Sequence, residues 1–397
     1  MNADMQSTLQ ETPTERKIVR LVLNEEQQLL KESARDFLKE KSPVAALRHL
    51  RDTQDPKGYS PKLWQEMAEM GWLGLTIPEV YGGMEYGFLG LGILIEEMGR
   101  TLTASPLNAT VLVGATLLLK GGNETQKAHF LPKIAQGEML LTLALEEGKH
   151  HQPTHIQTTA RQEGAHWILD GQKSFVPDGH IADYLLVVAR TSGQNPAPAG
   201  LSLFLVPRQS EGLQTERLSM VDSRNYAHVH LHQVKVEAAH LLGHVDEASR
   251  FLETSLDIAR IGLSAEMLGL MQEAFDRTLA YLKERKQFGV PIGSFQGLQH
   301  RAADMYCHIE LCKSVVLKAL TAIDHQDPKL ALYASLAKAK CNETLHRVSN
   351  EAVQMFGGIG VTDDEEIGFF LKRARALEQS LGDYHFHIQR FAALQGF

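Results

Sequence analysis

The sequence predicts a three-domain protein in which a β domain separates two helical domains. Apolar residues recur at helical spacing up to about residue 139 and again from residue 246. The stretch between consists of short alternating runs broken by Gly, Pro and Asp. We therefore expect a flexible polar tail over 1–20, a helical domain over 21–139, an antiparallel β domain over 140–245 and a second helical domain over 246–397.

The composition is that of a globular chain. Lys and Arg number 40 against 48 Asp and Glu, and the resulting net charge of −8 offers no basic face to nucleic acid. No apolar stretch approaches the roughly 18 residues that a membrane-spanning helix needs. The three cysteines are too few for a disulfide framework, and no signal-peptide pattern follows the first basic residues. We expect a cytoplasmic location, with neither nucleic acid nor membrane as partner.

The first helical domain has clear helix starts. Asn24 and Gln27 have the spacing of a capping box, which predicts a helix with its apolar residues over 29–38. Pro61 begins a second predicted helix, 61–70, which Gly71 ends. Two further helices are predicted over 89–98 and 107–119.

The middle domain and the C-terminal domain follow different periods. Short alternating runs predict strands over 142–145, 155–159, 166–169, 184–189, 201–206 and 227–236. Long runs at helical spacing predict helices over 246–286, 295–324, 328–356 and 366–381.

Two segments of the C-terminal domain carry recognisable motifs. Residues 284–299 read ERKQFGVPIGSFQGLQ, which resembles the E-R-x-Q-F-G-x-P-I-x-x-F-Q-x-x-Q signature of the acyl-CoA dehydrogenase family. Residues 354–360 read QMFGGIG and are similar to the Q-x-x-G-G-x-G loop of that family. With the helical–β–helical order, the resemblance covers the chain after its tail. It implies the acyl-CoA dehydrogenase fold, whose C-terminal helices form a four-helix-bundle-like oligomer interface.

The resemblance also implies an FAD enzyme that oxidises an acyl-CoA thioester to its 2,3-unsaturated form, with electron-transferring flavoprotein as the acceptor. The FAD contacts carried over from the two motifs are Arg285, Phe288, Gln296, Gln354, Gly357 and Gly358. Arginine suits a pyrophosphate and adjacent glycines allow close backbone approach. Taken without the family, Arg285 could equally be a solvated helix-end cation and the glycines a helix stop.

The catalytic glutamate of the family is missing from both of its usual positions. One position, downstream of the glycine loop, falls on Leu381; the other, one residue before a helix arginine, falls on Ala259. Neither side chain can accept a proton. Asp383, two residues past Leu381, is the candidate replacement base if the turn after Gly382 is rearranged, and a helix cap or ion-pair partner otherwise.

The β domain departs from the family at the flavin ring. The family's T-E-P-x-A-G-S-D stretch becomes EEGKHHQP at 146–153, so Glu146 replaces a threonine that bonds the ring. The family's W-I-T becomes FVP at 175–177, and Pro177 removes a hydroxyl and a backbone N–H. An acidic group beside the ring would repel the charge of the reduced flavin.

These losses lead to a hypothesis about partners. In the family the β domain cradles its own subunit's flavin, whereas the arginine and glycine motifs reach the FAD of a neighbour. We therefore expect a chain that pairs with a second, active subunit, as in a bacterial branch of heteromeric steroid side-chain acyl-CoA dehydrogenases that residues 357–374 resemble. Two alternatives stay open: a non-catalytic structural or regulatory subunit, and a flavin monooxygenase on the same fold. Self-association with a rebuilt site is a further possibility.

Three alternating histidines invite a metal interpretation. His228, His230 and His232 would share one face of a strand, as zinc ligands can. No fourth ligand is evident in the nearby sequence, and the matching family strand is ordinary sheet surface. The sequence therefore predicts no metal site.

Overall fold

The computed structural model describes residues 22–397, so the tail predicted over 1–20 lies outside the described residues. Among the residues described, no helix is long and apolar enough to cross a bilayer. The predicted order of helical, β and helical regions is confirmed.

The N-terminal region contains six α-helices, two of which were not predicted. They are α1 (Glu25–Lys41), α2 (Val44–Asp52), α3 (Pro61–Glu69), α4 (Phe88–Thr101), α5 (Thr116–Gly121) and α6 (Glu124–Ala135). The capping box of α1 forms as predicted, because the Asn24 side chain accepts from the Gln27 N–H and the Gln27 side chain accepts from the Asn24 N–H. Asn123 and Gln126 repeat that box at the start of α6, a signal the sequence offered and the prediction passed over.

The segment predicted as one helix over 107–119 is not uniform. It is π-helical over Asn108–Ala115 and becomes α-helical only in α5. The π-helical segment carries Thr110. The Thr110 hydroxyl donates to the Leu141 carbonyl oxygen and accepts from the Leu141 N–H, at the edge of the β domain. This helix therefore borders the first strand directly.

Eight strands form the middle sheet: β1 (Leu141–Ala144), β2 (Thr159–Glu163), β3 (His166–Pro177), β4 (Tyr184–Arg190), β5 (Leu201–Pro207), β6 (Leu213–Ser219), β7 (Asn225–Glu237) and β8 (Leu241–Leu242). Their order is β6-β7-β3-β2-β4-β5-β8, with β1 against β4. Alternate residues of β4 enter two cores. Leu186 and Val188 pack toward the helices, whereas Leu185 and Val187 pack within the β domain.

Three details of the predicted sheet were wrong. Residues 155–158 are not a strand, and only Thr159 of the predicted 155–159 belongs to β2, because the Glu147 carboxylate holds the N–H groups of Gln157 and Thr158 (2.6 and 3.0 Å). Strand β6 was missed because most of its side chains are exposed or half-buried. The sheet is also not purely antiparallel, since β1 pairs with β4 in parallel.

The C-terminal region consists of α7 (Ser249–Glu284), α8 (Gln296–Asp324), α9 (Leu330–Phe356), α10 (Ile367–Gln379) and α11 (Tyr384–Leu394). A short hairpin of β9 (Lys286–Gln287) and β10 (Val290–Pro291) joins α7 to α8. Helix α11 was not predicted. It begins where Gly382 and Asp383 end the preceding turn.

Helix α7 passes through the centre of the molecule and crosses α4 at two glycines. A Cβ atom on Gly269 would lie 1.7 Å from the Glu96 carbonyl oxygen, and one on Gly99 would lie 2.3 Å from the Glu266 carbonyl oxygen. Backbone stands against backbone, so no side chain can turn aside to make room. This crossing fixes the position of α7 relative to the N-terminal helices.

We expect Gly269→Ala to lower the free energy of unfolding by at least about 2 kcal/mol, because the added methyl forces the two helices apart. Chemical denaturation measures the change. The control is Gly297→Ala on α8, where a Cβ meets nothing within 4 Å. It should alter stability by no more than about 0.5 kcal/mol. Equal stability of the two variants would contradict the close crossing.

Candidate active site

A cavity of about 420 Å³ lies where the N-terminal helices, the β domain and the C-terminal helices meet. Leu381 and Ala259, the residues predicted to occupy the family's two glutamate positions, both line it. The fold therefore brings together two residues that are 122 positions apart in the chain (381 minus 259). Much of the remaining wall is apolar and includes Ile95, Met98, Leu112, Leu256 and Leu263.

The turn that carries Leu381 is held by buried polar groups. Leu381 has a left-handed backbone (φ 55°). Its carbonyl oxygen lies 3.0 Å from His387 Nε2 and 3.3 Å from Arg260 Nε. The fully buried Lys338 donates to the carbonyl oxygens of Leu377 and Gly382 (3.0 and 3.1 Å). These contacts fix the turn in one position.

Asp383, the candidate replacement base, lies just beyond this turn. Its carboxylate accepts from the Phe386 N–H at 2.8 Å and caps α11. Asp383 is not among the residues that line the cavity. The rearranged turn on which its catalytic role depends is thus absent from this arrangement, and that role stays a prediction.

Glu146, which replaces the flavin-binding threonine, belongs to a buried chain of hydrogen bonds. Its carboxylate lies 2.5 Å from His151 Nδ1, and His151 Nε2 lies 2.9 Å from Arg260 Nη2. Since an arginine can only donate, His151 Nε2 is the acceptor and its proton sits on Nδ1, toward Glu146. Burial lowers the pKa of His151, which keeps the ring neutral in this position.

Arg260 is the centre of this chain. Its Nη1 atom lies 2.8 Å from both Glu253 and Asp257, and Arg390 bonds the same two carboxylates at 2.9 Å. Both carboxylates and both arginines are therefore paired. The loop at 146–152 is drawn onto α7 by these contacts.

The end of β3 forms the opposite wall. A bulge between Lys173 and Val176 turns the strand, and Phe175 takes a positive φ of 52°. Asp178 follows Pro177 and lines the cavity with a single side-chain partner, the Asn225 amide at 3.2 Å. Burial raises the pKa of Asp178 to about 7, so near neutral pH it is partly protonated.

A group of charged residues lies at the far end of the cavity, and sequence reasoning missed it as a site. Arg373 pairs with Asp222 and Glu266, each at 2.7 Å, and Asn108 donates to Glu266 at 2.7 Å. Arg224 lines the same end. Arg373 belongs to the 357–374 segment noted in the sequence, whereas the other residues come from separate segments with no motif, so only the packing of the fold brings the group together.

The residues predicted to contact FAD lie elsewhere, at the end of α7 and the end of α9. Tyr281, four residues before Arg285, stacks on Phe356, one residue before Gly357. The ring centroids are 4.3 Å apart, and the Tyr281 hydroxyl bonds the Phe356 carbonyl oxygen. The stack brings the arginine motif and the glycine motif to one end of the bundle.

All six of these residues are exposed. They are Arg285, Phe288, Gln296, Gln354, Gly357 and Gly358. Phe288 has 91% of its surface exposed, and its ring meets the edge of Phe295. A Cβ atom on Gly357 or Gly358 would meet nothing within 4 Å, so the backbone there is open to a ligand or a partner. We call this surface the outer surface.

Comparison with known proteins shows what kind of fold this is. Family models for the acyl-CoA dehydrogenase N-terminal, middle and C-terminal domains match residues 24–138, 142–234 and 249–393. The chain belongs to the acyl-CoA dehydrogenase family. Isovaleryl-CoA dehydrogenase from Pongo abelii is 33% identical over 370 residues, which span 91% of this chain and 86% of that protein.

Two solved structures that are similar in shape to this chain have names that give two chains. A variant of the Tcur3481-Tcur3483 steroid ACAD is 31% identical with a TM-score of 0.84, and the match covers 94% of this chain and 98% of that one. The ChsE4-ChsE5 complex from Mycobacterium tuberculosis is 25% identical with a TM-score of 0.85, over 95% and 99% of the two chains.

Acyl-CoA dehydrogenases are FAD-dependent oxidoreductases, and the two regions of this member differ in how they suit that cofactor. The outer surface fits: open glycines, two exposed glutamine side chains and an exposed arginine can approach a pyrophosphate. The cavity does not fit a flavin ring in the manner of the family. Glu146 is tied to His151, and Pro177 has no N–H to donate.

The alternating histidines of β7 do not themselves line the cavity, although His228 contacts Phe175, which does. His230 and His232 stack with ring centroids 6.4 Å apart, and His228 meets the edge of Phe175. Within residues 22–397, no group of three His, Cys, Asp or Glu side chains is placed to hold a metal ion.

The half-buried carboxyl of Asp178 gives a test of the cavity's environment. The pKa of Asp178 is about 7 in the folded protein and 3.8 in the reference state. Between these two pH values the folded state therefore keeps a proton that the unfolded state has lost. Asp178 therefore destabilises the fold as pH rises through this range. We expect Asp178→Asn to stabilise the protein by roughly 1–3 kcal/mol more at about pH 8 than at about pH 5.

Denaturant unfolding at the two pH values measures that difference. Asp364→Asn, on an exposed turn, serves as the control. An equal effect of Asp178→Asn at both values would mean that the Asp178 carboxyl is solvated.

Proposed function

We propose that this chain is one subunit of a heteromeric acyl-CoA dehydrogenase, in which its outer surface completes the FAD site of a different, active subunit. The observation that carries the proposal is the cavity wall. Leu381 and Ala259 occupy the two places from which a glutamate would reach the α-carbon, and neither can take a proton. A chain with this cavity requires the base to come from elsewhere.

The outer surface supports the other half of the proposal. Arg285 has no carboxylate within ion-pair distance among residues 22–397, so its charge is available to an anion outside the chain. Gly357 and Gly358 leave space for close approach, and the Tyr281–Phe356 stack holds the two motifs in a fixed relation. A rigid, exposed and charged surface of this kind suits contact with a dinucleotide held by a neighbour.

These residues determine what this chain and its partner would each contribute to the reaction. Bound FAD supplies the redox step by accepting a hydride from the β-carbon of the acyl group. The α-proton goes to a carboxylate of the partner subunit, since this chain has none at either position. Arg285 would neutralise pyrophosphate charge, and the backbone at Gly357 and Gly358 would let the cofactor lie close to the helix end.

The comparisons support the same proposal, because two of the similar structures carry two-chain names. The substrate class is an acyl-CoA thioester. The electron acceptor that we propose is electron-transferring flavoprotein, which is also the subject of a similar structure from Acidaminococcus fermentans, 28% identical with a TM-score of 0.88.

The visible absorption spectrum of the purified protein tests the proposal. We expect the chain expressed alone to be colourless and its complex with a co-expressed second family member to be yellow, with about one FAD per pair. The complex should bleach anaerobically on addition of an acyl-CoA. A yellow isolated chain that bleaches with acyl-CoA would refute the proposal, and a yellow chain inert to acyl-CoA would favour a monooxygenase instead.

The outer surface can be tested within the complex. We expect Arg285→Gln to lower FAD content at least tenfold, because it removes a charged contact worth about 1.5–3 kcal/mol. The matched control is Lys283→Gln, an exposed cation two residues earlier on the same helix. Both variants should keep the thermal unfolding temperature of the isolated chain. Full FAD content in the Arg285 variant would show that the outer surface does not reach the cofactor.

A further inference from the structure

Arg224 is a half-buried cation of the cavity wall, and no carboxylate among residues 22–397 lies within ion-pair distance of its guanidinium. Its Nη2 atom donates to the Leu102 carbonyl oxygen at 2.6 Å, whereas its Nε and Nη1 atoms are shielded from solvent and have no hydrogen-bond partner within residues 22–397. An arginine has donors on all three nitrogens, and leaving them buried without acceptors is unfavourable. The side chain lines the cavity, so an acceptor there is the natural partner.

The neighbouring charges do not supply that acceptor. Asp222 and Glu266 lie close by, but Arg373 binds both, and Asn108 takes another oxygen of Glu266. Asp178 lines the same end of the cavity and lies outside ion-pair distance of Arg224. Two arginines therefore face two ionised carboxylates and one carboxyl group with a raised pKa, which leaves the cluster near neutrality while Asp178 holds its proton.

The cluster stands at a definite distance from the positions of the missing base. Glu266 follows Ala259 by seven residues on α7, which corresponds to about 10 Å along the helix. Helix α10 and the turn after it run in the opposite direction to α7. Arg373 of α10 contacts Glu266, and Leu381 of the turn contacts Arg260. A molecule whose reacting end lay at Ala259 and Leu381 would thus extend along apolar walls toward Arg224.

We propose that this end of the cavity is a recognition site for an oxygen acceptor at the far end of a bound acyl group, with Arg224 as the donor. The near-neutral cluster favours an uncharged carbonyl oxygen over a carboxylate, because a further negative charge would lie near Asp178, Asp222 and Glu266. Binding requires the guanidinium to rotate toward the cavity. Among residues 22–397, this rotation would break one side-chain hydrogen bond of Arg224, the one to the Leu102 carbonyl oxygen. The cavity then holds a polar-ended acyl chain without oxidising it.

Isothermal titration of the isolated chain tests this site with three probes that differ only at the far end: octanoyl-CoA, 7-oxooctanoyl-CoA and suberoyl-CoA. We expect 7-oxooctanoyl-CoA to bind at least about tenfold more tightly than octanoyl-CoA, as a hydrogen bond to a charged donor allows. Arg224→Gln should remove that preference and leave the affinity for octanoyl-CoA unchanged. Arg161→Gln, an exposed arginine of β2, is the matched control and should keep the preference.

The outcomes separate cleanly. A preference for suberoyl-CoA that depends on Arg224 would support the site and assign it to a carboxylate. Equal affinities for all three probes, absence of binding, or a preference that survives in Arg224→Gln would overturn the proposal. If Arg224→Gln does not fold, Asp178→Asn provides a second test, because loss of that carboxyl should strengthen binding of suberoyl-CoA alone.

This inference does not depend on the proposed heteromer. The calorimetry uses the single chain and a residue of the cavity, whereas the heteromer is tested by FAD content and a residue of the outer surface. Failure of one leaves the other intact.

Discussion

The buried guanidinium of Arg260 is the interaction on which the cavity depends. It contacts the helix that carries it through Asp257, the following turn through the Leu381 carbonyl oxygen, and the β domain through His151. A full charge without solvent is tolerated only when its donors are met, and here they are. The same contacts hold Leu381 at the cavity wall and draw the 146–152 loop inward. The position of Leu381 is thus fixed by an ordered network of buried polar groups.

Much of the fold could be predicted from the sequence, because its signals are local. The capping box at Asn24 and the apolar spacing of α1 depend on residues within a few turns of each other. The elements that were missed lack such signals. Strand β6 is half exposed and gains its order from pairing with β7, while the parallel contact of β1 with β4 joins residues about 40 positions apart. Pairing between two distant strands cannot be predicted from the local sequence of either strand, because it depends on contacts that form only in the fold.

The same distinction between local signals and distant contacts applies to the candidate site. The exposed outer surface is encoded in two continuous motifs, so its residues could be named from the chain. Leu381 and Ala259 could also be named, because the family supplies the pattern that they break. Arg224, Asp178 and Glu266 could not, since each comes from a different element and is brought to the cavity by packing. The hydrogen bond of Asp383 to Phe386 likewise depends on where α11 begins.

The stack of Tyr281 on Phe356 makes the outer surface a self-contained unit. Neither ring lines the cavity, and the six exposed residues share no member with its wall. A substitution in the cavity wall therefore leaves the outer surface unchanged, and a substitution on the outer surface leaves the cavity unchanged. The two regions can then diverge independently within a single fold, because no side chain has to serve both.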